Sequence, residues 1–179
     1  MTETFRPAFV HRLDKETSGV ILAGKTPAAV RYYTAEFAER NTQKKYFALI
    51  KGILPEKEGS IEKSLLKEGK KTSLSEGGKK ALTTYEVCEE YGIKATLVKV
   101  QIYTGRMHQI RAHFASIGHP VIGDRQYGDK RINALFREKY DLKRLFLHAY
   151  ELTFKDMKGR VIKKRAPLAV ELQEVLKSM

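Results

Sequence analysis

The sequence predicts an α+β domain, a mixed and largely antiparallel sheet with flanking helices and a central cleft. Three observations carry this expectation. Strand-like segments recur at residues 45–51, 82–89, 94–103 and 145–154, most with a clear two-residue apolar alternation. Segments with helical apolar spacing begin at Pro27 and cover 107–117 and 167–177. No internal repeat or domain linker interrupts the 179 residues, which suffice for one domain with a real core.

Taken in order, residues 18–25 read as a short strand. It is apolar on both faces at Val20-Ile21-Leu22 and therefore central in a sheet. Thr26 suits a helix N-cap and Pro27 the first helical position. Val30, Tyr33 and Phe37 give that helix one apolar face, and Asn41 ends it. The next strand, 45–51, puts Tyr46, Ala48 and Ile50 on one face and Phe47 and Leu49 on the other. Lysine, glycine and serine dominate 63–80, where only Leu65, Leu66 and Leu74 look buried; this predicts a long hairpin arm. Strands 82–89 and 94–103 follow, with Tyr91-Gly92 in the turn and Thr96, Val98, Val100 and Ile102 sharing a face. Met107, Ile110, Phe114 and Ile117 form the stripe of a helix that Gly118 stops. A turn-rich stretch at 118–128 precedes strand 145–154 and a closing helix at 167–177 with Leu168, Leu172 and Val175 buried.

Charge narrows the partner. Lys and Arg outnumber Asp and Glu by 34 to 21, a formal net charge of +13, and the pI is about 9.7. An excess of this size points to an anionic partner, nucleic acid before a membrane surface. Cys88 is the only cysteine, so no intramolecular disulfide forms; its strand-like setting predicts a buried, inert thiol in a reducing cytosol. No apolar run approaches the ~20 residues of a membrane span, and no signal-peptide pattern opens the chain. A cytoplasmic protein is expected.

The chemistry concentrates in two segments. His11-Arg12-Leu13-Asp14 runs into Lys15-Glu16-Thr17-Ser18-Gly19, which places one carboxylate beside a cation and a hydroxyl-rich turn. Gly105-Arg106-Met107-His108-Gln109-Ile110-Arg111 supplies a counterpart. At about 100° per residue Arg111 falls at the edge of the apolar stripe, with His108 beside it on the outer side. A part-buried guanidinium needs a partner for its charge. Asp14 is the candidate, and the pairing would keep it ionised as a nucleophile or base. Tyr46 follows Lys44-Lys45 on a strand, which can offer an aromatic stacking face beside phosphate-binding lysines. The five histidines are His11, His108, His113, His119 and His148. His108 and His113 are five apart and do not share a helix face, and no acidic residue follows at ligand spacing, so no metal site is expected.

These residues carry a family resemblance. The run His11 to Gly19 resembles the signature of the RluA-type pseudouridine synthases. The run Gly105 to His113, then Gly118-His119-Pro120, Gly123-Asp124 and Tyr127-Gly128, is similar to that family's second long motif. Lys45-Tyr46 with Ala48 and Gly52 resembles a shorter motif between them, and Leu147-His148-Ala149 with Ala166-Pro167 a closing one. The motifs cover most of the chain in the family's order. The resemblance implies the pseudouridine synthase fold with a central RNA-binding cleft. It implies that Asp14 is the catalytic aspartate, Tyr46 the active-site tyrosine and Arg111 the arginine paired with the aspartate. Arg12, Lys44, Lys45, Arg106 and His108 are the expected RNA contacts. The expected reaction isomerises uridine in ribosomal or transfer RNA to pseudouridine, without cofactor or metal, in a monomer. The base must leave its stack to react, and Arg12 is a candidate to fill the space it leaves.

Two departures complete these expectations. Family members usually carry a Lys-Pro-x-Gly motif well ahead of the aspartate segment, and many carry an S4-type RNA-binding domain. Ten residues precede His11, so residues 1–179 are expected to be a catalytic domain lacking its N-terminal segment and any S4-type domain. Gly24 stands where alanine is common. The alternative function is a non-catalytic RNA-binding or assembly module derived from the enzyme; a phosphate-ester hydrolase is a weaker third, because clustered carboxylates for metals are missing.

Overall fold

The computed structural model describes residues 5–92 and 94–179. The chain runs β1 (Ala8–Phe9), β2 (Ser18–Gly19), β3 (Ala23–Gly24), α1 (Pro27–Ala38), β4 (Gln43–Lys51), β5 (Glu58–Glu62), β6 (Leu65–Glu68) and β7 (Lys71–Leu74). It continues through β8 (Leu82–Tyr91), β9 (Ala95–Ile102), α2 (Gln109–Ser116), α3 (Lys130–Tyr140), β10 (Leu147–Lys155), β11 (Val161–Arg165) and α4 (Val170–Lys177). The main sheet has seven strands in the order β11-β10-β4-β9-β8-β5, with β2 added parallel to β10. All other pairings in it are antiparallel, so the sheet is mixed and largely antiparallel, as expected. Small two-stranded sheets, β1 with β3 and β6 with β7, stand beside it.

The alternation in β4 and β9 divides the core between the two sheet faces. Tyr46, Ala48 and Ile50 join Val98, Val100 and Ile102 on one face, where Ile110 and Phe114 of α2 cover them. Leu49 and Leu97 point to the other face and pack with Phe136, Phe146, Leu172 and Val175 from α3, α4 and the segment before β10. Phe114 and Phe146 are fully buried. Truncating either to alanine is expected to cost about 3–5 kcal/mol. α1 borders the first face, where Tyr33 meets Phe154 edge-on and the Tyr32 hydroxyl donates to Asp156 O. Thr26 caps α1 and Pro27 opens it, as the sequence predicts.

Other expectations need correction. Residues 18–25 form no central strand: only β2 and β3, two residues each, are extended and paired, and Ile21 is exposed. Gly19 has φ 122°, which breaks the extended run, and a β-carbon there would lie 2.1 Å from Ala149 O. The first helix ends at Ala38 rather than Asn41, because Arg40 turns left-handed. The helix expected from Met107 starts at Gln109, because His108 is left-handed too. Cys88 is exposed, not buried: a register shift between Val87 and Glu89 lifts it out of the pairing. The 63–80 stretch is a hairpin, β6 with β7, but Leu66 and Leu74 are exposed, and Leu65 and Thr72 are the residues that pack. The sequence pattern hid α3, β5 and β11, in which few residues are buried.

Candidate active site

A cleft of about 440 Å³ opens on the first sheet face between α1 and the turn before α2. Its lining includes Arg12, Asp14, Thr17, Phe37, Lys44, Tyr46, Arg106, His108 and Arg111, with Lys67 reaching in from the hairpin arm. Leu13, Ile102, Ile110 and Leu147 supply an apolar floor.

Asp14 sits on a loop held by a backbone turn, by the short pairing of β2 with β10 and by side-chain hydrogen bonds. The Thr17 amide donates to Asp14 O at 2.9 Å, which closes the turn. Arg144 Nη2 donates to Glu16 O at 2.7 Å and to Ser18 Oγ at 2.9 Å, and its Nη1 pairs with Glu171 at 2.8 Å. The Ser18 hydroxyl donates to His148 Nδ1 at 2.8 Å, while His148 Nε2 donates to Ala166 O at 3.2 Å. Ser18 therefore ties the loop. Thr17 does so through its backbone only, since its Oγ1 is buried without a partner among the described residues. His11 stacks on Phe37 with ring centroids 4.3 Å apart and accepts the Leu22 amide at 3.0 Å. Burial, then the Lys44 charge, pushes its pKa down to about 4.

The expected pairing across the cleft is present. Arg111 Nη1 donates to Asp14 Oδ2 at 3.1 Å, and the two side chains are only 11% and 19% exposed. The stronger partner of Arg111 is one that the sequence did not single out. Its Nε and Nη2 donate to Asp124 Oδ2 and Oδ1 at 2.7 and 3.0 Å, a bidentate pair with a fully buried carboxylate. The Gln126 and Tyr127 amides also donate to Asp124 Oδ1, at 2.8 and 3.0 Å. Burial works to raise the Asp124 carboxyl, but Arg111 and these amides outweigh it and hold the group below its usual range. Burial likewise opposes the Arg111 charge, and Asp124 with Asp14 outweighs it, so the guanidinium is held above its ordinary value. The guanidinium also lies over the Tyr127 ring, 5.1 Å from its centroid. The missed signal was the requirement itself. A part-buried arginine needs more than one exposed partner, and Asp124 lay in the same motif.

The remaining predicted residues divide. Tyr46 lines the cleft from β4, and burial, then the Asp14 carboxylate, raises its hydroxyl above the usual value, so it stays a neutral phenol at neutral pH. Lys44 shares that face, and burial followed by the Arg40 charge lowers its pKa. Arg12 and Arg106 line the cleft. Gln109 steadies the Arg106 turn by accepting its amide at 3.1 Å while donating to Leu82 O at 2.9 Å. Lys45 does not join them. Its side chain points to the opposite sheet face and lies 3.7 Å from Glu151, as strand alternation demands. His108 closes the cleft above Asp14 in the left-handed conformation, φ 54°, at a backbone cost of about 1 kcal/mol. Among the described residues no cluster of three His, Cys, Asp or Glu is placed to hold a metal.

The family model for RNA pseudouridylate synthase matches residues 2–116, which include the Asp14 loop, Tyr46 and Arg111. The chain belongs to the RNA pseudouridylate synthase family. It is 48% identical over 129 residues to an uncharacterized RNA pseudouridine synthase of Aquifex aeolicus, covering 70% of this chain and 41% of that protein. It is 38% identical over 176 residues to ribosomal large subunit pseudouridine synthase C of Haemophilus influenzae, covering 95% of this chain and 54% of that one. The corresponding Vibrio cholerae protein is 35% identical over 173 residues, with the same coverage, 95% and 54%. The chain thus spans about half the length of the curated relatives it matches. Among solved structures, human RNA pseudouridylate synthase domain containing 1 superposes with a TM-score of 0.79 at 28% identity, covering 90% of this chain and 69% of that one. Domain containing 4 gives 0.83 at 22% identity, covering 98% and 77%, a likeness of fold. The expected resemblance and fold are borne out. Among the described residues no helix is long and apolar enough to cross a membrane.

Proposed function

We propose that residues 1–179 form the catalytic domain of an RNA pseudouridine synthase that acts on uridines of ribosomal or transfer RNA in the cytoplasm. The supporting observation is one carboxylate, Asp14, held 3.1 Å from Arg111 in a cleft that Tyr46 and Lys44 also line. In this reaction the N1–C1′ bond breaks, the uracil turns, and C5 bonds to C1′. The C5 proton is lost and N1 gains one, so the product is an isomer. Asp14 attacks C1′ or C6, or assists removal of the ribose 2′ proton; Arg111 fixes its orientation from one side of the cleft. Tyr46, a neutral phenol and so a poor base, offers the stacking surface for the uracil beside C5, whose proton passes to water. Arg12, exposed at the rim, fills the gap that the everted base leaves in the RNA.

The net charge of +13 supports an RNA partner, and Lys44, Lys67, Arg12 and Arg106 concentrate cations around the carboxylate. Asp14→Asn tests the reading. Tritium release from RNA labelled at uridine C5 is expected to vanish while RNA binding survives. Normal release by this variant would show that Asp14 is not the essential carboxylate.

A further inference from the structure

His108 and Tyr127 belong to the long second motif, yet neither makes or breaks a bond in the isomerisation. Their contacts join the hairpin arm to the Asp14 carboxylate. The Thr72 amide on β7 donates to the Tyr127 hydroxyl oxygen at 2.8 Å. The Thr72 hydroxyl donates elsewhere, to Met107 O at 2.9 Å. Tyr127 Oη accepts from the arm and lies 3.0 Å from His108 Nδ1, so it can place its own hydrogen on that nitrogen. An imidazole that accepts at Nδ1 and is neutral carries its hydrogen on Nε2. His108 Nε2 faces Asp14 Oδ2 at 4.0 Å.

We propose that Tyr127 locks His108 in the Nε2–H tautomer, so that the Asp14 carboxylate faces a neutral donor on one side and Arg111 on the other. The inference rests on the isomerase reading for its effect on turnover only. The opposite tautomer would turn the Nε2 lone pair toward the carboxylate and push it away from its place beside Arg111. The lock is built from three sides. Gln126 Nε2 donates to Lys70 O of the arm at 3.1 Å, the Tyr127 amide is held by Asp124, and its ring lies under the Arg111 guanidinium. The charged groups facing His108 are Asp14 and Asp124, which favour its protonation, and Arg111 and Arg12, which oppose it. Burial is the largest influence and keeps the imidazole below its usual value, hence neutral. His108 and Tyr127 are then positioning residues for Asp14. The left-handed backbone at His108 is what aims the ring inward instead of along the outer face of α2.

The decisive measurement is the tautomer of His108 by long-range proton–nitrogen correlation on the free, 15N-labelled chain at pH 7.5. Couplings from Hδ2 and Hε1 should assign the hydrogen to Nε2 in the wild type. In Tyr127→Phe, which keeps the ring beneath Arg111, the imidazole should become a mixture of tautomers. Its kcat should fall about tenfold, the worth of one hydrogen bond, with KM for RNA within about twofold. His108→Gln, whose amide can still donate, should retain more kcat than His108→Ala. A wild-type hydrogen on Nδ1, or a Tyr127→Phe variant with unchanged tautomer and unchanged kcat, would overturn the proposal. A locked tautomer in a chain that releases no tritium from any RNA would support the lock and overturn the isomerase reading instead.

Discussion

Arg111 joins two carboxylates of unequal exposure, and this inequality divides their work. Asp124 is fully buried and takes the bidentate side of the guanidinium; Asp14 is partly open and accepts one N–H, from Nη1. The buried pair fixes Arg111, and Arg111 then fixes Asp14. Asp124→Asn keeps the shape and removes the charge, leaving Arg111 part-buried beside one carboxylate. The expected loss is about 3 kcal/mol by urea unfolding, with a drop in kcat exceeding the drop in RNA affinity. The Asp124 carboxyl is depressed in the folded state, so its contribution is present above the unfolded carboxylate value of about 3.9 and is lost as pH falls through the lower folded value. The gap between wild type and Asp124→Asn should therefore be full at pH 7 and close in strong acid. Asp14, Tyr46 and Arg111 were legible in the sequence because motif position and helix phase marked them. Asp124 was not, because it lies in a turn-rich segment with no periodicity to reveal which way it points.

At the scale of elements, the hairpin of β6 and β7 matters most. Its strands hold little apolar surface, Leu65 being the main buried anchor, and Thr72 with Lys70 ties it to the Tyr127 turn. Lys67, Lys70 and Lys71 stand on the hairpin, and Lys67 lines the cleft. Replacing all three by alanine should weaken RNA binding alike across sequences. The slope of log Kd against log salt should shrink by up to about two to three units, since each phosphate contact contributes about 0.7–0.9. An unchanged slope would mean that the arm does not touch RNA phosphates. The hairpin itself was readable from its glycines and lysines, but its anchors were not. Leu66 and Leu74 are apolar yet exposed: alternation turns Leu66 away from buried Leu65, while Leu74, the cross-strand partner of Leu65, stays open although it shares that face. α3 escaped notice for a related reason: only Phe136 is fully buried, and charges surround it.

Across the whole molecule, four histidines are held neutral below their ordinary value of 6.5: His11, His108, His113 and His148, burial being the leading cause in each. His113 is enclosed between Thr83 Oγ1 at 2.9 Å and Lys63 O at 3.2 Å, and it joins α2 to the strands. The unfolded chain takes up a proton on each imidazole near pH 6.5, and the folded chain resists until lower pH. Stability is thus undiminished above that value and falls as pH drops through it, until the folded groups also titrate, near pH 4 for His11. The urea midpoint should decline steadily from pH 7 to pH 4.5. His113→Gln should flatten the decline, even at a cost in stability at pH 7. A midpoint independent of pH over this range would show that these imidazoles are accessible to protons in the folded state.

The sequence by itself determined the fold class, the strands β4, β8 and β9, the helix α1 and the three residues that meet in the cleft. These follow from local rules: period-two alternation, capping chemistry and the helical phase of Arg111. Tertiary structure alone decided what holds them. The left-handed backbone at His108, the Arg144 and His148 clamp on the Asp14 loop and the bidentate grip of Asp124 all join residues distant in the chain or turn on a single dihedral angle. A sequence pattern averages over the neighbours that a residue has along the chain. Charge pairing and proton position depend on the neighbours it gains across the fold.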